Sequence, residues 1–212
     1  HFNDQRVYRM VIGEAPVAIT PAANVRFGAF ELDAPRHRLI CIREDHRVSG
    51  EPENTLVAIP LEGMSEGEVL FSGSSFVSAP GLSPDGKSVA FIAWNHPDMP
   101  WDNTTLWSAA FAADGKLEGL TEHNPDTGES AIDPQWDAEG NLYVLSDRNN
   151  WWSLYQVSGT EFTLLSPQPE KSEIGGPAWQ VGKHYYRIRQ DGSILAQVVK
   201  GAIGTLYLLD RK

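Results

Sequence analysis

Chemically capable side chains crowd the stretch from 94 to 102, WNHPDMPWD, where His96, Asp98 and Asp102 stand close together. A histidine and two carboxylates are donor types of a metal site, and His46 and His123 would be the further ligands to recruit. Their spacing follows no regular ligand pattern, so neither a metal nor a cofactor is expected. Nucleophilic catalysis of the hydrolase type needs Gly-x-Ser-x-Gly on a strand-to-helix elbow. The chain lacks that motif, and Gly73-Ser74-Ser75 has no helical pattern behind it. Paired carboxylates could serve glycoside hydrolysis, but with 28 acidic residues accidental pairs are unavoidable. Glu129 is the acid to watch, because Gly128-Glu129-Ser130 leads directly into an apolar strand. It stands either as a solvated loop acid or as a carboxylate aimed at a central channel. No catalytic residue is assigned, and whether the chain is an enzyme stays open.

Bulk composition narrows the partners. A net charge of −11 argues against nucleic acid as a partner, since phosphate binding needs a basic face, and against an anionic membrane surface. No apolar run approaches the ~20 residues of a membrane-spanning helix. The start, HFNDQRVYRM, carries no signal-peptide pattern, which leads to the expectation of a cytoplasmic protein. Cys41 is the sole cysteine and sits in the apolar run Leu39-Ile40-Cys41-Ile42, so it reads as a buried, inert thiol. Glycine (19) and proline (14) favour many turns over long helices.

The elements that must position these residues show themselves by repetition. A strand-like run recurs around Val7, Leu56, Leu106, Leu154 and Leu206, at intervals of 49, 50, 48 and 52 residues. Tight-turn stretches keep nearly the same step, at Ala34-Pro35-Arg36-His37, Pro84-Asp85-Gly86-Lys87, Ala138-Glu139-Gly140-Asn141 and Gln190-Asp191-Gly192-Ser193. Four short strands in roughly 40–50 residues make one blade of a β-propeller. The amphipathic helices of a solenoid are missing. The expected fold is all-β, a propeller arc of about five four-stranded blades incomplete at both ends. Its blades fall near 4–20 (partial), 25–71, 77–121, 131–165 and 177–209 (partial), in one partial domain over 1–212.

Antiparallel connectivity sends alternate loops to opposite faces. With strands lettered a to d from the channel outward, the a–b and c–d turns are short and bland. The b–c and d–a loops are long, aromatic and charged, and include 94–102, 121–130 (TEHNPDTGES), 147–152 (DRNNWW) and 166–176 (SPQPEKSEIGG). Such loops on a rigid scaffold are where binding sites gather. The candidates for lining a substrate channel or docking surface are Trp94, His96, Trp101, Asp102, Glu129, Arg148 and Trp151. Trp94 and Trp101 either pack over the blade tops, with Pro97 and Pro100 stiffening the path, or wall a chamber.

Several stretches together carry a resemblance: LSPDGKSVAF, WNHPDMPWDNTTLW, ESAIDPQWDAEGNLYVLSDRNNWWSLY and GGPAWQ. They resemble the N-terminal propeller of prolyl oligopeptidase family serine peptidases, nearest the bacterial dipeptidyl aminopeptidase and acylaminoacyl-peptidase-like branch. The likeness runs along most of the chain, including DQRVYRM and LICIREDH, although Asp137-Ala138-Glu139-Gly140 replaces the usual SPDG. The resemblance implies a propeller capping a separate α/β-hydrolase domain that carries the catalytic triad and restricting access to peptide substrates. No triad residue maps onto this chain. In some relatives propeller glutamates hold the substrate's free amine, and Glu129 is a loose positional candidate for that role. The rival readings are a free-standing TolB-like propeller for protein binding and a propeller enzyme acting on polysaccharide.

Overall fold

The computed structural model describes residues 1–125, 127–165 and 171–209. Strands β1 (Tyr8–Arg9) and β2 (Val17–Ala18) form a short antiparallel pair. Next comes a four-stranded sheet of β3 (Val25–Asp33), β4 (Arg38–Asp45), β5 (Glu53–Pro60) and β6 (Glu68–Phe71). A second contains β7 (Phe76–Leu82), β8 (Ser88–Trp94), β9 (Thr105–Phe111) and β10 (Leu117–Glu122). The third contains β11 (Ala131–Trp136), β12 (Leu142–Ser146), β13 (Ser153–Ser158) and β14 (Glu161–Leu164). In the last sheet β15 (Ser172–Glu173) and β16 (Tyr186–Ile188) flank the two ends of β17 (Ile194–Lys200), which pairs on its other edge with β18 (Ile203–Leu209). Each full sheet runs in chain order from its first strand to its fourth. The chain is a partial propeller arc.

Packing between neighbouring sheets explains the sequence pattern. In β4, Ile40 and Ile42 join Val77, Val89 and Phe91 of the next sheet, while Cys41 faces the other way, onto Ile19, Val57 and Ile59. Side chains alternate between two buried faces, so the strand reads as one continuous apolar run. Burial pushes the Cys41 thiol up to about 12, which leaves it without reactive thiolate.

The first strand of each full sheet carries the same irregularity. Register shifts fall between Gly28 and Glu31, Ser78 and Gly81, and Ile132 and Gln135. Within them Ala29, Ala79 and Asp133 adopt φ of +52°, +50° and +53°, a conformation rare for residues with a Cβ. These bulges bend the three strands at equivalent heights and bring them close together. At Gly81 a Cβ would sit 2.6 Å from the Pro134 carbonyl oxygen, so only glycine fits there.

The turns of neighbouring blades meet on one side, except that the β13–β14 turn reaches the loop after β10, with Gly159 O 2.6 Å from His123 Nδ1 and Thr160 bordering the same recess as Arg148. On the blunt face, Arg36 Nη1 donates to Gly86 O (2.8 Å) and Arg38 Nη2 to Gly115 O (2.8 Å), joining turns of neighbouring blades. Where the first full blade lacks a turn glycine, His37 takes the left-handed φ of +50°. Asp137, which replaces serine in SPDG, accepts from the backbone N–H groups of Glu139 (3.0 Å) and Asn141 (2.8 Å) and closes its turn. On the other face lie the segments around 95–104, 147–152 and 174–185. The last of these interrupts the inner edge of the final sheet and reaches the first full sheet. A Cβ on Gly28 would meet Val181 at 3.3 Å. Its return is anchored by Asp133, whose carboxylate accepts from Tyr185 N (2.8 Å) and lies 2.8 Å from His184 Nδ1.

Candidate functional site

The loop after β8 is closed by its own polar residues. Asp102 N donates to Met99 O (2.9 Å), and the Asp102 carboxylate accepts from Met99 N (3.0 Å). Asn103 Nδ2 donates to Asp98 Oδ2 (3.0 Å). Both aspartates therefore shape the loop. Trp94 stacks on Phe76 with centroids 5.1 Å apart, and His96 meets the same ring edge-on at 4.9 Å. His46 sits 2.8 Å from Glu44, and His123 lies between Ser108 Oγ (2.8 Å) and Gly159 O (2.6 Å). Among the described residues, no group of three His, Cys, Asp or Glu is placed to hold a metal ion.

Ser130 is the hub that ties this loop to its neighbours. Its hydroxyl donates to Pro100 O (2.7 Å) and accepts from Trp152 Nε1 (3.2 Å), while its backbone N–H donates to Asp147 Oδ1 (2.7 Å). Thr104 adds a second tie, donating from its backbone N–H to Glu129 O (2.9 Å).

Glu129 and Arg148, two candidates read from sequence, are brought together. Arg148 donates through Nε (2.9 Å) and Nη2 (2.7 Å) to the two Glu129 carboxylate oxygens. Ser146 Oγ donates to Oε2, and Thr127 Oγ1 to Oε1 (3.0 Å). Glu129 is 4% exposed, and burial alone would raise its pKa. The arginine, serine and threonine outweigh burial and hold the carboxyl below the usual glutamate range. Arg148 also lies 3.7 Å above the Phe162 ring centroid. Glu129 is thus neither a solvated loop acid nor a bare carboxylate in the channel. It is the buried half of an ion pair at the floor of a polar recess shared with Asp147, Asn150 and Thr160. Burial, then the charge of Glu129, raises the Asp147 carboxyl.

Two further cavities, walled mainly by apolar side chains, open on the tryptophan-bearing face. One, of about 470 Å³, is bounded by Phe76, Trp94, Met99, Pro100, Trp179 and Val181, among others. The second, of about 430 Å³, is lined by Trp101, Trp152, Pro177 and Trp179. Trp179 is their shared wall. Its ring meets Trp101 edge-on at 6.1 Å and an interplanar angle of 86°. Of the WW pair, Trp152 supplies the cavity wall, and Trp151 stands 37% exposed beside it. Sequence reasoning singled out Trp94, Trp101 and Trp151 but missed Trp152 and Trp179. The available signal was a bulky aromatic in GGPAWQ, between glycines that no strand interior favours. In the loop expected at 166–176, positions 166–170 lie outside the described residues.

Neither a family model nor a curated protein matches the chain. Solved structures match closely. A puromycin-hydrolyzing peptidase of Mycobacterium tuberculosis superposes with a TM-score of 0.89 at 32% identity, over 99% of this chain and 34% of its own. A puromycin hydrolase variant complexed with PGG gives 0.89 at 31% identity, over 100% of this chain and 34% of its own. The chain belongs with the propellers of the prolyl oligopeptidase family. It spans about a third of the length of those peptidases. TolB of Acinetobacter baumannii (TM-score 0.60, 19% identity) and prolyl oligopeptidase B of Galerina marginata (0.69, 10%) share the fold alone. Among the described residues, no helix is long and apolar enough to cross a membrane.

Proposed function

We propose that this propeller caps the active site of an α/β-hydrolase domain and filters peptide substrates on their way to it. The observation that carries the reading is the gathering of four tryptophans, Trp94, Trp101, Trp152 and Trp179, around two adjoining cavities on one face. Exposed apolar patches with a polar rim mark interaction surfaces. Here Arg26, Glu44 and Asn54 supply the polar part of the larger cavity's lining. The hydrolase domain meets this same face, and the peptide passes between the two. Glu129 keeps a positioning role in this scheme: its carboxylate orients Arg148, and its backbone carbonyl holds the loop that bears Trp101. Its carboxylate is already engaged, so it is not the group that receives a free amine.

The test is Trp101→Ala in the intact peptidase. Discrimination between short and long peptides, read as the ratio of their kcat/KM values, should change by about 10-fold, the equivalent of one lost ring contact. A ratio that moves no more than it does for Lys87→Glu on the blunt face defeats the proposal. The isolated chain should show no turnover of aminoacyl or acyl-peptide chromogenic substrates that survives serine-directed inhibitors.

A further inference from the structure

The tryptophan-lined cavity has features that select its guest. Trp179 is 74% exposed although it takes part in an edge-to-face pair with Trp101. Trp152 is fixed from two sides. Its Nε1 donates to Ser130, and its Cβ and Cγ press on Gly175, where an added Cβ would lie only 2.7 Å away. Trp101 follows Pro100, whose carbonyl the same serine holds. Two walls are therefore set by one hydroxyl, and Trp179 and Pro177 line the rest of a cleft that is open to solvent. The lining is aromatic and proline surface with no charged group.

Charge complementarity identifies what such a box holds. Asp102 adjoins Trp101 and is exposed. Asp147 is bonded to Ser130, and Glu173 immediately precedes Ile174, whose N–H donates to Trp152 O (2.9 Å). Nearby cations already have partners, including Arg26 of the adjoining cavity, 4.0 Å from Glu44. Arg148 is paired with Glu129 and stacked on Phe162, and Lys183 lies 4.6 Å above the Tyr185 ring. The chain as a whole carries −11. Indole faces attract cations through the ring quadrupole, and a flat, weakly hydrated guanidinium also stacks on them.

We propose that the box formed by Trp101, Trp152, Trp179 and Pro177 binds a cationic side chain of a peptide, arginine before lysine. The inference rests on the filtering reading only in taking the guest to be a peptide. It makes this cavity a specificity subsite for basic residues, separate from the Glu129 recess.

The chain itself can be titrated with acetyl-Gly-Arg-Gly-amide and with matched norleucine and phenylalanine peptides, following the indole N–H resonances by NMR. The arginine peptide should shift the signals of Trp101, Trp152 and Trp179 and bind about 10-fold tighter than the norleucine peptide at low salt. High salt should narrow that gap. Trp179→Ala should weaken arginine-peptide binding about 10-fold, with Trp179→Phe retaining most of it. An unchanged urea midpoint shows that either variant still folds. Equal binding of the norleucine peptide, tighter binding of the phenylalanine peptide, or no shift with any of the three overturns the proposal. If Trp101→Ala alters length selectivity in the intact peptidase while the chain ignores the arginine peptide, only this inference fails. The reverse outcome defeats the filter and leaves the box.

Discussion

The two faces of this arc spend their side chains differently. On the blunt face, Asp33 is fully buried and pairs with Arg38 (2.7 Å) and Arg36 (3.1 Å). Each arginine then satisfies a carbonyl on the neighbouring blade and stacks over the Phe111 ring, at 4.4 Å for Arg36 and 5.1 Å for Arg38. Charge and hydrogen-bonding capacity there are used to hold blades together. On the tryptophan face the polar groups also bond internally, through Ser130 and Glu129, but they leave indole surface uncovered. One face binds the protein to itself. The other keeps contact area for something else.

That contrast can be broken from either side, and the blunt face should give the largest effect. Arg38→Met leaves Asp33 buried without its closest partner. Removing one half of a buried pair costs roughly 3–5 kcal/mol, so urea unfolding should show a loss of at least about 3 kcal/mol. A loss below about 1 kcal/mol would mean that this face is not held by charge.

Glu129→Gln should cost less, on the order of 2 kcal/mol, because the Arg148 side chain is 28% exposed and can turn to water. The pH dependence carries a definite sign. The folded Glu129 carboxyl lies below its unfolded value, so its stabilisation is complete above the ordinary glutamate pKa. That contribution is lost as pH falls through the folded value. The stability gap between wild type and variant should therefore close on acidification. Asp147 acts in the opposite direction, since its raised carboxyl favours the folded state as pH falls. Removing the Glu129 charge should lower the Asp147 carboxyl, and NMR titration of that side chain would measure it.

The smallest effect belongs to Lys87→Glu. The lysine side chain is 80% exposed and pairs with Asp85 at 3.3 Å in water. Stability should change by less than about 0.5 kcal/mol and peptide selectivity should not change. A selectivity change there would erase the distinction between the faces.

Much of this architecture is legible without coordinates because its causes are local. The step from Leu56 to Leu106 to Leu154 marks strands that pair with their sequence neighbours, and Pro84-Asp85-Gly86 announces a turn by its own backbone preferences. Once strands and turns are known, antiparallel pairing sorts the loops onto two faces. Trp101 was found by this route. Trp179 was not, because it lies in a segment that leaves its sheet, and its importance comes from Trp101, 78 positions earlier. The fate of Glu129 was equally hidden. No feature of Gly-Glu-Ser distinguishes a free carboxylate from one enclosed by Arg148, Ser146 and Thr127.

Amino-acid order thus determined the blades, their succession and the side from which each loop emerges, since hydrogen-bonded neighbours in a propeller are neighbours in the chain. Only tertiary structure decided which rings share a cavity and which acid is already neutralised. Those contacts join different blades, where separation in space is set by how sheets pack and bears no relation to separation in sequence.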